Sequence, residues 1–306
     1  MNIYIDESFF TPDLLFTIKT HFPDIHWMSD LSAANEVDVM IASPKLINKD
    51  TLDRMPKLAF IKLLTAGYDI IDLDDVKSRR IKMAYAKDVY SIQIAEDVFA
   101  KILYFNRHLG SYHEQSNRQE WKFIPSRHEI FGKTVGILGA GSIGREIAKR
   151  MKGFGARVIG YKKRWVSHHD YDGMYYGDEG LAYVLTNADY VIICLALNQD
   201  TYHLIQQKTL QMMKKDALLI NIARGDIIDQ KALADALNRD MIRGAALDVT
   251  SPEPLPKDHI LWEAKHLLIT PHQASSSPMM KERLMVEVIE TMDRYLKGLP
   301  LTNLIS

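Results

Sequence analysis

Residues 1 to about 90 alternate short apolar runs with amphipathic stretches. "NIYI", "VDVMIAS", "AFIKLLTAG" and "IKMAYA" read as strands. "TPDLLFTIKTHF", "NKDTLDRM" and "DLDDVKSRR" lie between them and read as helices, the first with Thr11 as N-cap and Pro12 at the first helical position. Strand, helix, strand, helix, strand, helix, strand predicts an α/β unit with a parallel sheet. A helix-prone run without Pro and with one Gly, "SIQIAEDVFAKILYFNRHLGSYHEQ", begins near Ser91. It is long enough to link two domains.

A second alternation opens at Lys133. "KTVGILGAG" is a strand entering a glycine turn, and "SIGREIAKRMKGF" is a helix. "ARVIGY", "DYVIICLAL", "ALLINIA", "RGAALDV" and "HLLITP" complete six predicted strands, with helix-like segments between them. "SPMMKERLMVEVIETMDRYLKG" is amphipathic and stops at Gly298, with Pro300 just beyond. No repeat of fixed period and no low-complexity tract interrupts this order.

Composition narrows the classes. At 306 residues the chain is long for one core and comfortable for two domains. A content of 47% hydrophobic and 25% charged residues fits a soluble globular protein. The formal net charge of −1 offers no basic field, so no nucleic-acid partner is expected. No apolar run reaches about 18 residues, so no membrane span is expected. "MNIYIDESFF" meets Asp6 and Glu7 before any long apolar run, which argues against a signal peptide. The single cysteine, Cys194, lies in the apolar run "YVIICLAL" and reads as core. A reducing cytoplasm is the expected compartment.

Candidate chemistry starts at "GILGAGSIG". Gly139, Gly141 and Gly144 stand in the spacing G-x-G-x-x-G, after a strand and before a helix. In that context Gly139 allows the tight turn, Gly141 leaves room for a pyrophosphate, and Gly144 lets the helix pack on the strand. The amides of Ser142 and Ile143 can then face the phosphates. Lys162 comes 23 residues after Gly139, at the strand end where an acid usually accepts from an adenosine ribose. Lys162, Lys163 and Arg164 suit a 2'-phosphate instead, which predicts NADP, with NAD as the alternative. His168 and His169 lack spaced partners and read as a solvated loop, so no metal site is expected.

Three later strands each end in a polar group. "LLINIARGDIID" places Arg224, "AALDVTSPEPLP" places Asp248 and Glu253, and "LLITPHQAS" places His272. Strand carboxyl ends border the ligand crevice of an open parallel sheet. Reduction of a 2-oxo acid needs a bidentate cation for the carboxylate, a proton donor for the forming alkoxide, and an acid to keep that donor charged.

With these segments in view, the sequence resembles the D-isomer-specific 2-hydroxyacid dehydrogenase family. The resemblance covers nearly the whole chain and is strongest from about Phe131 to Ser275. It rests on "GKTVGILGAGSIG", "NIARGDIID", "ALDVTSPEPLP" and "ITPHQAS". It implies a Rossmann-type doubly wound parallel sheet, residues 97–277, inserted in a smaller flavodoxin-like α/β substrate domain of residues 1–96 and 278–306. It implies a homodimer built around the helices near the domain junction. It also implies that Arg224 binds the substrate carboxylate, that His272 is the acid/base, and that Glu253 pairs with it. Asp248 and the Ala223 carbonyl would orient the nicotinamide. The amides of Ala66 and Gly67, in "TAGYD", would hold the substrate from the other domain.

The chain departs from the family pattern in places. Lys162 replaces the usual acid. In the cofactor-side segment "CLALN", Ala196 stands where proline is common and Asn198 where threonine is. "RQEW" lacks the frequent glycine before Trp121, a residue that could wall the active site. The chain ends at Ser306, without the regulatory domain of many phosphoglycerate dehydrogenases. No cations cluster at "TAGYD", which argues against a phosphorylated substrate. Glyoxylate or hydroxypyruvate is the first expected substrate, and a branched or aromatic 2-oxo acid the second. Some relatives of this fold are nucleotide-sensing corepressors, and turnover of NADPH separates that reading from an enzyme.

Overall fold

The computed structural model describes residues 1–163 and 169–305 and divides into two compact units, Met1–Tyr90 with Ser277–Ser306, and Ser91–Ser276. Arg164 and His168 of the sequence reading lie outside the described residues.

In the first unit the chain runs through β1 (Asn2–Ile5), α1 (Pro12–His21), β2 (His26–Met28), β3 (Val39–Ala42), α2 (Lys49–Asp53), β4 (Phe60–Leu63), α3 (Leu73–Ser78) and β5 (Lys82–Ala84). The strands are all parallel in the order β2-β1-β3-β4-β5. That is the flavodoxin-like order. Strands β3 and β4 are buried along their whole length, as strands covered on both faces must be. The short helices start on side-chain caps: Asn48 accepts from the Thr51 amide, and Asp72 from those of Asp74 and Asp75. Thr11 holds the N-cap position of α1 without a side-chain bond, and Pro12 follows as the fixed-φ opener.

The C-terminal helix, Met280–Leu296, belongs to this unit. Lys62 on β4 is fully buried. Its ammonium donates to the Leu63 carbonyl at 2.8 Å and pairs with Glu287 of that helix at 2.7 Å. Burial works against both charges, pulling the Lys62 pKa down and pushing that of Glu287 up. Asn303 then donates to Glu287 and to the Tyr85 carbonyl, and Tyr295 stacks on Phe60 with ring centres 4.2 Å apart.

The second unit starts with α4 (Ser91–Asn106) and α5 (Leu109–Asn117). The single long helix expected here is broken. His108 takes the left-handed backbone, φ 54°, and Gly110 lies so close under Tyr104 that a Cβ would meet its hydroxyl at 2.2 Å. Then follow β6 (Thr134–Leu138), α6 (Ser142–Gly153), β7 (Arg157–Lys162), β8 (Gly173–Tyr176), α7 (Gly177–Asn187), β9 (Tyr190–Ile193), α8 (Gln207–Leu210), β10 (Leu218–Asn221), α9 (Gln230–Asn238), β11 (Gly244–Leu247) and β12 (Leu267–Ile269). The sheet is parallel throughout, in the order β12-β11-β10-β9-β6-β7-β8.

The chain therefore builds outward from β6 to β7 and β8, then returns to β9 on the other side. This is the doubly wound Rossmann arrangement, and its switch point lies between β6 and β9. Two strands went unread in the sequence, β2 and β8. Each is an edge strand of its sheet. No described helix is long and apolar enough to cross a membrane.

Candidate active site

The site assembles at the carboxyl ends of β6, β7 and β9 to β12. At the first of these, the three glycines do different work. Gly139 has φ +110°, and a Cβ there would lie 2.6 Å from the Cys194 carbonyl oxygen. A Cβ on Gly144 would come within 2.2 Å of the Gly139 carbonyl oxygen. Both glycines are demanded by the turn and the packing. Gly141 differs: a Cβ there would meet nothing within 4 Å. It is also the N-cap of α6 and leaves the helix without a side-chain cap. The amides of Ser142 and Ile143 thus open the helix beside bare backbone. This is the arrangement that suits a pyrophosphate.

Lys162 ends β7 half-buried, and no described residue forms an ion pair with it. Lys163 is exposed and pairs with Asp200 at 2.5 Å. Its charge is partly answered there, although so exposed a pair contributes only about 0–1 kcal/mol. Asp200 sits on the loop after β9, where the Thr201 hydroxyl donates to the Ala196 carbonyl at 2.7 Å. Cys194 opens that loop, and burial pushes its thiol well up, so it stays protonated. His169 stands beside Asp170, which is held by Arg145.

The loop after β10 is shaped from below by Asn221, which is fully buried. Its side chain accepts from the Ala223 amide at 3.0 Å and donates to the Arg224 carbonyl at 2.8 Å. The Arg224 guanidinium donates to the Ala223 carbonyl at 2.7 Å. A Cβ on Gly225 would lie 2.1 Å from the Thr250 carbonyl carbon. The missing side chain lets the Arg224 turn press against the Thr250–Ser251 backbone, where the Glu253 loop begins.

Asp248 follows β11 and is 2% exposed. One of its oxygens accepts from the Thr270 hydroxyl at 2.5 Å and the Gln273 amide at 3.1 Å; the other accepts from the Ala274 amide at 2.9 Å. Its carbonyl accepts from the His272 amide at 2.7 Å. His272 sits at φ +50°, a region non-glycine residues rarely occupy. Asp248 holds that conformation in place from both sides of the turn. So held, His272 Nδ1 lies 2.8 Å from Glu253 Oε2, while Glu253 Oε1 accepts from the Thr250 amide at 3.0 Å. Both side chains are partly exposed. Because a carboxylate accepts only, Nδ1 carries the hydrogen, and Nε2 is the ring atom left to exchange a proton.

Three residues were missed in the sequence. Lys101 on α4 is 2% exposed; it pairs with Asp97 one turn earlier and lies 3.7 Å from Asp248. Gln273 donates to Asp97 at 2.6 Å. Asp97, Lys101 and Gln273 thus tie α4 to the turn that carries His272. The available signal was a lysine on the apolar face of a helix with an acid four residues before it. Ala66 and Gly67 follow β4 in the first unit, in a loop where the Thr65 hydroxyl donates to the Gly67 carbonyl at 2.8 Å.

Comparison with known proteins gives a consistent result. Residues 99–274 match the model of the D-isomer specific 2-hydroxyacid dehydrogenase, NAD binding domain. The chain is 32% identical over 277 residues to a glyoxylate reductase of Pyrococcus horikoshii, covering 88% of this chain and 82% of that one. It is 32% identical over 273 residues to a D-3-phosphoglycerate dehydrogenase of Methanocaldococcus jannaschii, covering 88% of this chain and 51% of the other. Among solved structures it is similar to an acyclic imino acid reductase in complex with NADPH and D-Arg, with TM-score 0.87, 26% identity and full coverage of both chains. Nucleotide turn, strand-end residues and relatives agree, and the chain belongs to the D-isomer-specific 2-hydroxyacid dehydrogenase family of oxidoreductases.

Proposed function

We propose that this protein reduces a small 2-oxo acid to the D-2-hydroxy acid, with NADPH preferred to NADH. The observation that carries the reading is the His272–Glu253 pair at 2.8 Å, on a turn fixed by buried Asp248. The second unit is then the dinucleotide domain and the first the substrate domain. When bound, the dinucleotide supplies a hydride from its nicotinamide ring. Gly139, Gly141, Ser142, Ile143 and Gly144 receive its pyrophosphate, and Ala196 lines its path. The Ala223 carbonyl and Asp248 orient the nicotinamide amide.

Arg224 holds the substrate carboxylate in its planar fork. As the carbonyl carbon gains hydride, His272 Nε2 gives its proton to the carbonyl oxygen, which becomes the hydroxyl of the product. Glu253 keeps the ring in the required tautomer and orientation. The partly exposed imidazole then regains a proton from water.

Glyoxylate or hydroxypyruvate is the favoured substrate, in keeping with the similar glyoxylate reductases. A homodimer fits Trp121 and Phe123, which stand almost wholly exposed after α5 as apolar surface that a second copy would cover. The single cysteine suits a reducing cytoplasm.

The test is a spectrophotometric panel of NADPH and NADH against several 2-oxo acids. Rapid oxidation of NADPH by a small 2-oxo acid is expected. Tight cofactor binding without turnover on any of them would favour a nucleotide-sensing corepressor-like protein.

Two variants probe the cofactor assignment. Lys162→Asp should lose about tenfold or more in kcat/KM with NADPH, the effect of one charge-assisted contact, and keep or gain activity with NADH. Equal use of both cofactors by the wild type would remove the basis for that preference. Gly141→Val should fold with an unchanged melting temperature, since a Cβ meets nothing there. Filling the space kept for the pyrophosphate should nonetheless weaken dinucleotide binding about tenfold or more. Unchanged affinity by fluorescence titration would show that the phosphates lie elsewhere.

A further inference from the structure

The amino ends of the strands in the second unit form a separate surface, at the opposite end of the sheet from the nucleotide turn. Lys133 precedes β6, Asp189 and Tyr190 lead into β9, Lys214 to Asp216 precede β10, and Arg243 precedes β11. Together with Arg127 and His128 they line a cavity of about 250 Å³. Its charge is one-sided. Five cations, Arg127, Lys133, Lys214, Lys215 and Arg243, face two carboxylates, Asp189 and Asp216, an excess of three positive charges. The whole chain carries a net charge of −1, so this excess is local.

Asp189 is already engaged: one oxygen takes the Lys214 ammonium at 2.9 Å and the other accepts from the Thr134 amide at 2.8 Å. Arg243 is the lining cation that carries a buried, unpartnered nitrogen. It is half-buried, with its guanidinium 5.7 Å from the Tyr190 ring centre. One amino group donates to Asn106 at 3.0 Å. Its Nε is buried and has no acceptor among the described residues, none of whose carboxylates forms an ion pair with it. Burial pulls the Arg243 pKa down, and Asp216 and Asp189 oppose that only from a distance, without a direct ion pair. A cation held that way, amid an excess of like charge, calls for an anion.

We propose that this cavity is a second binding site, for a small multiply charged anion bearing a phosphoryl group. A forked guanidinium beside several ammonium point charges is the donor set that phosphoryl oxygens use, and an excess of three charges matches a polyanion better than a single carboxylate. The half-buried His128 supplies a reporter. Burial, Arg243, Lys133 and His108 lower its pKa, and only Asp216 opposes them. An anion beside it reverses that balance and raises the pKa. The site is independent of the reduction proposed above, since none of its residues follows a strand's carboxyl end.

The experiment is calorimetric titration of the full chain with inorganic phosphate, pyrophosphate and glucose 6-phosphate, each with and without saturating NADPH. Saturable binding of pyrophosphate, one per chain and retained with NADPH present, is expected. Lys133→Gln and Lys215→Gln should each weaken it about tenfold, as expected for loss of one charged contact. The His128 imidazole resonance, followed against pH, should titrate at higher pH once pyrophosphate is bound. Tighter binding of glucose 6-phosphate than of phosphate assigns the site to an organic phosphate; tighter pyrophosphate assigns it to an inorganic polyphosphate. No saturable heat overturns the proposal. So does binding that NADPH abolishes and the two lysine variants leave unchanged, which would place the anion at the glycine turn.

Discussion

His272→Ala should reduce kcat about a thousandfold, within the range of about 10²–10⁴ that a positioned general acid contributes, while the protein still binds NADPH. The ring is held by two features of different strength. The backbone turn is fixed by Asp248, which the variant leaves untouched. The ring itself is fixed by Glu253 at 2.8 Å. Removing the imidazole therefore takes away the proposed proton donor without dismantling its support. Glu253→Gln, which keeps the shape and removes the charge, should cost less, about a hundredfold on the same scale. Steady-state oxidation of NADPH gives the rates, and quenching of tryptophan fluorescence gives the cofactor affinity. A His272→Ala enzyme within about tenfold of wild type would mean that the proton reaches the substrate from another group.

Lys101→Met should lower the stability of the second unit by about 3–5 kcal/mol, the usual result of removing one partner from a buried ion pair. The lysine lies between Asp97 and Asp248 and is 2% exposed. Without it Asp97 and Asp248 lose the cation between them, and Asp248 is the residue that fixes the His272 turn. Turnover should fall along with stability. Adding Asp97→Asn removes one of the stranded charges and should restore part of both. Urea unfolding measures the first effect and NADPH oxidation the second. A loss below about 1 kcal/mol would place Lys101 among ion pairs of surface strength and remove it from the support of the site.

What could be read from the sequence followed from how local each signal was. The strands buried on both faces, such as "VMIA" and "YVII", announce themselves by unbroken apolar runs. The edge strands β2 and β8 do not: "HWM" is short and half exposed, and "GMYY" is half-buried throughout. Each pairs with the strand just before it, 24 residues back for β2 and 14 for β8, and nothing within so short a segment records that pairing. The break at His108 was hidden for a similar reason, since Gly110 is needed only because Tyr104 folds over it. The chain segments that carry Arg224, Asp248, Glu253 and His272 could be named because each begins just after an apolar strand. The part played by Asp97, Lys101 and Gln273 could not. It depends on α4 meeting a turn some 170 positions later, and no pattern along one segment records that meeting.

The discontinuous first unit also sets an order for biosynthesis. Lys62 on β4 waits for Glu287, Phe60 for Tyr295, and Met83 for the Ile305 amide that donates to its carbonyl at 2.8 Å. A chain leaving the ribosome has all of Ser91–Ser276 available before these partners exist. The inserted unit can thus close its own sheet while the earlier one remains unfinished, with a buried lysine still lacking its counter-charge. Domains fold as units during synthesis. Here the one made first is the one completed last, and its apolar strands are in need of protection for most of the time the protein is being made.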